Sequence, residues 1–122
     1  MGKPHPKGIQ GEDIAARYLS GKGYDVRERN VHYRGGELDI VAFDPAQKEL
    51  VFVEVKSRSS RLFGWPEEDV RERKRTRLRL AAGLYLGSHR QYRTAPYRFD
   101  IIAIELRETS ARVTHYKNVE IR

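Results

Sequence analysis

Apolar and polar positions alternate most clearly between residues 37 and 56. In ELDIVAF, residues 37–43, Leu38, Ile40 and Ala42 share one face of a predicted strand, and Glu37, Asp39, Val41 and Phe43 share the other. Asp44-Pro45 ends that strand, because proline has no N–H to donate and suits a turn. In LVFVEVK, residues 50–56, Val51, Val53 and Val55 share a face, opposite Leu50, Phe52, Glu54 and Lys56. A loop centred on Ala46-Gln47 sets an antiparallel register: Phe43 against Leu50, Val41 against Phe52, Asp39 against Glu54. A slip of one residue would send the two carboxylates to opposite faces.

The flanking patterns complete an α/β arrangement. Residues 8–20 read as a helix with Glu12, Ala15, Ala16 and Leu19 on one stripe, closed by Gly21 and Gly23. Residues 24–33 form a first strand with Val26 and Val31 as its apolar points; Asn30 reads as a turn or bulge residue. Gly35-Gly36 separates it from the next strand. Pro66 opens a second helix with Glu67, Glu68 and Asp69 in its first turn. That helix runs to about Leu86, and Val70, Leu78, Ala81 and Leu84 or Tyr85 form its inner stripe. Residues 89–95 are a loop, 98–106 a buried strand and 112–116 a last edge strand. The prediction is a mixed sheet of about five strands flanked by helices: an antiparallel meander, then a parallel strand reached through the second helix. Residues 1–7 read as a flexible tail and 8–122 as one domain.

Composition narrows the function classes. The 122 residues contain no cysteine, which excludes disulfides and thiolate metal sites and suits a reducing cytoplasm. No apolar run approaches the roughly 18 residues of a membrane span, and the N-terminus has no apolar signal-peptide region. A net charge of +7 favours a polyanionic partner, nucleic acid first.

Chemistry concentrates on the 37–56 pair of strands. Two carboxylates side by side on an apolar sheet repel and resist desolvation, so Asp39 and Glu54 call for a compensating cation. Mg²⁺ suits a few carboxylate oxygens plus water and phosphate, with Mn²⁺ as its substitute. Lys56 lies on the same face, two residues beyond Glu54. The plainer alternative is a solvent-exposed Glu54–Lys56 ion pair on an edge strand. Ser57, Arg58 and Arg61 follow directly and are placed to hold a phosphodiester. Phe63 and Trp65 read as loop anchors or as a stacking platform. Lys74 lies on the inner stripe of the second helix, where it must snorkel or reach an anion. Arg71, Arg73, Arg75 and Arg79 make the outer face basic. Asp100 reads most simply as a partner of Arg98, with support of the metal site or of Lys74 as the alternative. The four histidines have no ligand spacing and receive no chemistry.

The pieces GELDIVA, FVEVKSR, FGWPEEDV and RFDIIAIE, in that order, resemble the YraN family of bacterial proteins across about residues 11–106. The resemblance implies a restriction-endonuclease-like fold near the Holliday junction resolvases, with an acid followed by acid-x-Lys as its PD-(D/E)xK motif. Here that motif runs Glu37-Leu38-Asp39, then Glu54-Val55-Lys56, without the proline. By the same resemblance Glu12 joins Asp39 and Glu54 at the metal, and the main-chain carbonyl of Val55 is a further ligand. It also implies a Mg²⁺-dependent endonuclease on branched or structured DNA, with Asp39, Glu54, Lys56 and Glu12 catalytic. Ser57, Arg58, Arg61, Lys74 and Arg75 then face nucleic acid, and a homodimer would suit a two-strand cut. The alternatives are a nucleic-acid-binding module without turnover and an RNA-processing or RNA-binding protein.

Overall fold

A computed structural model describes residues 6–58 and 72–120, with side chains over 10–58 and 75–120. Helix α1 (Pro6–Gly21) leads into β1 (Asp25–Tyr33), β2 (Gly36–Asp44) and β3 (Glu49–Arg58). Helix α2 (Glu72–Ser88), a single 3-10 turn at Arg90–Tyr92, β4 (Tyr97–Leu106) and β5 (Ala111–Tyr116) follow. The five strands lie in one sheet in sequence order, with β3 at its centre. Only the β3–β4 pair is parallel; the other three pairs are antiparallel. This is the predicted mixed α/β sheet, a meander followed by a parallel strand.

Each helix covers one face. Ala15 and Leu19 of α1 pack on Ile40, Ala42, Val51, Val53, Ile102 and Ile104. Ala81, Ala82 and Tyr85 of α2 pack on Val41, Leu50 and Phe52. Leu84 is 42% exposed, so Tyr85 holds the inner stripe. The α1 helix starts at Pro6 rather than at residue 8, as a proline in a first turn allows. It ends where predicted: Tyr24 donates its N–H to the Leu19 carbonyl and Gly23 to that of Ser20, with Gly23 at φ +92. That is a Schellman closure, which needs a residue at ease in the left-handed region. The expected start of the second helix, from Pro66 to Val70, lies outside the described residues, as do Arg61, Phe63 and Trp65.

Two features correct the alternation expected for β2. Leu38 packs with Val41 on the α2 side, whereas Ile40 and Ala42 pack on the α1 side. The period of two therefore breaks at Asp39. Opposite it on β1, Asn30 takes φ +53, and the ladder steps from Arg29↔Ile40 to Val31↔Leu38 with no bridge between. Gly36 is also set by packing: a Cβ there would lie 2.5 Å from the Arg77 carbonyl oxygen, so α2 approaches the start of β2 closely.

Candidate functional site

Strand β3 carries the site because it outruns one neighbour. Its ladder with β2 contains the predicted Phe43↔Leu50 and Val41↔Phe52 pairs but ends at Ile40↔Val53, so the expected Asp39↔Glu54 pair is not part of it. With β4 it continues to Arg58↔Glu105. Beyond Val53 the β2-facing backbone of β3 needs other partners. The Asp39 carboxylate supplies one: its Oδ2 accepts the Val55 N–H at 2.8 Å. That bond holds Asp39 against the acidic strand end, where the Glu54 charge bears on its carboxyl.

The Asp39 carboxyl is held well above its ordinary range. Burial is the main cause, the Glu54 charge is next, and Glu12 adds a smaller push in the same direction; the Val55 N–H acts against them. Lys56 Nζ lies 3.5 Å from Glu54 Oε1, with 16% and 8% of the two side chains exposed. The pair belongs to the central strand and is largely shielded from water, unlike the exposed edge pair of the plainer reading.

Glu12 approaches from α1. Burial raises its carboxyl too, opposed chiefly by the nearby Arg29 charge. Arg29 itself is paired with Asp13 at 2.7 Å. One Glu12 oxygen, Oε1, is buried with no hydrogen-bond partner, and so is Ser57 Oγ. The Ser57 hydroxyl is turned under α1, where a Cβ on Gly11 would collide with it. Arg58, at the end of β3, and Arg75, in the first turns of α2, are both partly buried. The Lys74 side chain and all of Arg61 fall outside what the structure describes. Among the described residues no three His, Asp or Glu side chains are already drawn into a metal cage.

A second polar cluster centres on Arg98 of β4. The Arg98 guanidinium donates to Asp100 Oδ1 at 3.0 Å, Asp44 Oδ2 and Glu49 Oε1 at 2.9 Å each, and the Tyr24 hydroxyl at 2.9 Å. Asp100 also binds His115 Nε2 at 2.7 Å and the Asn118 N–H at 2.9 Å. Asp100 is thus engaged by Arg98, its simpler predicted partner, and by His115. The histidine went unassigned because its partners come from α1 and β4, and spacing along the chain cannot register them. The RFD triplet was the available signal: Arg98 and Asp100, two apart on a strand, share a face.

Asp39→Asn is expected to leave the metal-free protein at least as stable as the wild type. A carboxyl whose value is raised in the folded state takes up protons on folding. Its contribution is complete below the unfolded value near 4 and is lost as pH rises through the folded value. Asparagine keeps an oxygen for the Val55 N–H and has no proton to lose. The advantage of the variant, on the order of 1 kcal/mol, should therefore widen from pH 5 to pH 8 in urea melts. A gap that stays constant or narrows would show that the two carboxyls do not repel in the folded state.

A family model described as "Uncharacterised protein family UPF0102" matches residues 11–104. A UPF0102 protein of Desulforamulus reducens is 41% identical over 113 residues, covering 91% of this chain and 92% of the relative. One from Carboxydothermus hydrogenoformans is 43% identical over 112 residues, covering 92% of each. One from Moorella thermoacetica is 47% identical over 100 residues, covering 82% of this chain and 81% of the relative. The matched span takes in α1 from Gly11, the Asp39–Glu54–Lys56 site and the Arg98–Asp100 clasp, and the chain belongs to the UPF0102, or YraN, family.

Proposed function

We propose that this protein is a divalent-metal-dependent nuclease that hydrolyses phosphodiester bonds of DNA, with branched or structured DNA as the first substrates to test. One observation carries the reading: Asp39 is crowded against Glu54 at the free end of the central strand, with Glu12 close by. Replacing Asp39 with an amide would relieve that crowding, so the pairing points to a cation. The donor set fits Mg²⁺, which keeps several waters and needs few protein oxygens. The partnerless, buried Glu12 Oε1 fits a ligand still short of its partner.

Asp39, Glu54 and Glu12 would hold the ion, with the Val55 carbonyl added by family resemblance. When bound, such a metal polarises a phosphoryl oxygen and lowers the pKa of its water. The chain's own residues do the rest. The Val55 N–H fixes the Asp39 carboxylate in one orientation. The Lys56 ammonium sits beside Glu54 and offers a positive charge to the phosphate as negative charge develops on it. Arg58 and Arg75, together with Arg61 and Lys74, supply cations for the flanking phosphates, with Ser57 beneath α1. A homodimer would place two such sites for a two-strand cut. Among the described residues no helix is long and apolar enough to cross a membrane.

A binding module without turnover is the second reading. It is favoured by the lack of a ready-made three-ligand cage among the described residues. Labelled duplex, flap, four-way junction and single-stranded DNA and RNA, each with and without Mg²⁺ or Mn²⁺, separate the two. The expected result is cleavage of at least one DNA only with metal, lost in Glu54→Gln. Metal-independent binding with no cleavage of any substrate would favour the module, and equal cleavage by Glu54→Gln would expose a contaminant. Cleavage confined to RNA would transfer the site to RNA processing.

A further inference from the structure

Strands β4 and β5 lie between Lys56 and one edge of the sheet, and their side chains on the Lys56 face have no role in the account so far. Packing fixes which face that is. Leu50 and Phe52 of β3 lie under α2, so Glu54 and Lys56 take the α2 side, while Val55 packs on the α1 side. Across the parallel ladder Lys56 stands beside Ala103 and Arg58 beside Glu105. Across the next ladder Ala103 stands beside Thr114 and Glu105 beside Arg112. On β5, Val113 packs on the α1 side, and Tyr116 packs against Leu78 of α2 and Ile101, so Arg112 and Thr114 share the α2 side with Lys56. Two rows therefore run outward from the site: Lys56–Ala103–Thr114 and Arg58–Glu105–Arg112. Ala103 places only a methyl group between the ammonium and the Thr114 hydroxyl. Glu105, the one acid in the two rows, is paired with Arg107 at 3.2 Å. Arg112 is exposed and Thr114 half-buried. Strand spacing and rise put both of them roughly 10–12 Å from Lys56.

We propose that this face of β4 and β5 carries one DNA strand away from the phosphate at Lys56, with Arg112 and Thr114 holding its backbone. This rests on the reading above that the partner is DNA. Charge complementarity and continuity with the carboxylate site carry it: the two rows set Lys56, Arg58 and Arg112 against a single acid that already has a partner. A strand of duplex DNA carries one phosphate for about every 3.4 Å of helix axis, so the distance from Lys56 to Arg112 spans about three nucleotides. A guanidinium and a hydroxyl both donate to phosphate oxygens, which fixes the path of the strand without reading its bases. The competing role for Arg112 is that of an edge guard. A charged side chain on an edge strand discourages pairing with another chain, and that role involves no nucleic acid.

The test measures affinity of the full chain for fluorescein-labelled duplex and four-way-junction DNA by anisotropy, without divalent metal and over a series of salt concentrations. Arg112→Gln should weaken binding by about 5-fold, the scale of one exposed charge pair. It should also lower the slope of log affinity against log salt by about 0.9, the share of one phosphate contact on duplex DNA. Lys48→Gln is the control for net charge. Lys48 is exposed in the turn before β3, about 26 Å along the strand from Lys56. That exceeds twice the screening length of about 10 Å at 0.1 M salt, so affinity and slope should stay at wild-type values. In the unaltered protein the backbone amide resonances of Arg112 and Thr114 should shift when the duplex is added, and that of Lys48 should not, a reading that needs no variant to fold. Wild-type affinity and slope in Arg112→Gln, or unmoved Arg112 and Thr114 resonances while DNA binds, overturn the proposal and leave the carboxylate site standing. Equal losses in Arg112→Gln and Lys48→Gln overturn it in favour of net charge, and binding confined to labelled RNA overturns the choice of DNA. Arg112-dependent binding without cleavage of any substrate supports the surface and counts against the nuclease reading alone. No binding of any nucleic acid by the wild type overturns the nucleic-acid reading itself, and the surface falls with it.

Discussion

Lys56→Ala is expected to lower cleavage by about 10²–10³-fold, the scale of removing one preorganised group that stabilises developing charge. The ammonium is not a metal ligand, so Mn²⁺ affinity should be unchanged or slightly higher once a positive charge leaves the carboxylates. Nucleic-acid affinity should fall only modestly, because a single phosphate contact is lost. Lys56→Arg should not restore the rate: a planar guanidinium has a different reach and different hydrogen-bond directions from a compact ammonium. The measurement is a single-turnover rate at saturating metal, on whichever substrate the wild type cuts. A structural ion pair with Glu54 predicts altered stability and an unaltered rate. Wild-type rates in Lys56→Ala would remove the residue from the reaction.

The largest effect on stability is expected at Arg98, far along the sheet from the carboxylate pair. Its guanidinium is 6% exposed and neutralises Asp44, itself 8% exposed, and the fully buried Asp100. Arg98→Met would leave those carboxylates without their main partner. Breaking a buried ion pair from one side costs about 3–5 kcal/mol, a large share of the roughly 5–15 kcal/mol that holds a domain together. Urea melts at pH 7 should show the loss. Its pH dependence gives a second check. Burial alone would raise the Asp44 carboxyl, but the Arg98 hydrogen bond and two backbone N–H groups outweigh it and hold it below the usual range. At Asp100, His115 and Arg98 likewise outweigh burial. A lowered carboxyl contributes stability above the unfolded value near 4, and that contribution disappears as pH falls through the folded value. The gap between wild type and Arg98→Met should therefore be widest near neutrality and close in acid. A gap independent of pH would mean that the clasp acts through packing alone. Combining Arg98→Met with Asp100→Asn should cost less than the sum of the two, because they share one network.

The sequence by itself determined the elements and the carboxylate pair. Strand alternation and helix stripes are local, and the short Asp44–Gln47 turn fixes the parity of β2 against β3. Spacing therefore led toward Asp39 and Glu54, but the ladder stops one pair short, at Ile40↔Val53, and it is the Val55 N–H that holds Asp39 beside the strand end. The rest required neighbours that are distant in the chain. Asn30 takes a left-handed backbone and the Asp39 carboxylate turns to the Val55 N–H, and alternation carries no trace of either. Leu38 changes face as a consequence. Arg98 gathers Tyr24, Asp44, Glu49 and Asp100, and His115 reaches Asp100 only after β5 takes its register on β4. Periodicity says which face a side chain takes; only the order of strands in the sheet decides which charges share that face. The same order put Glu54 and Lys56 on the central strand, partly shielded from water, where a charge counts for more than it would at an edge.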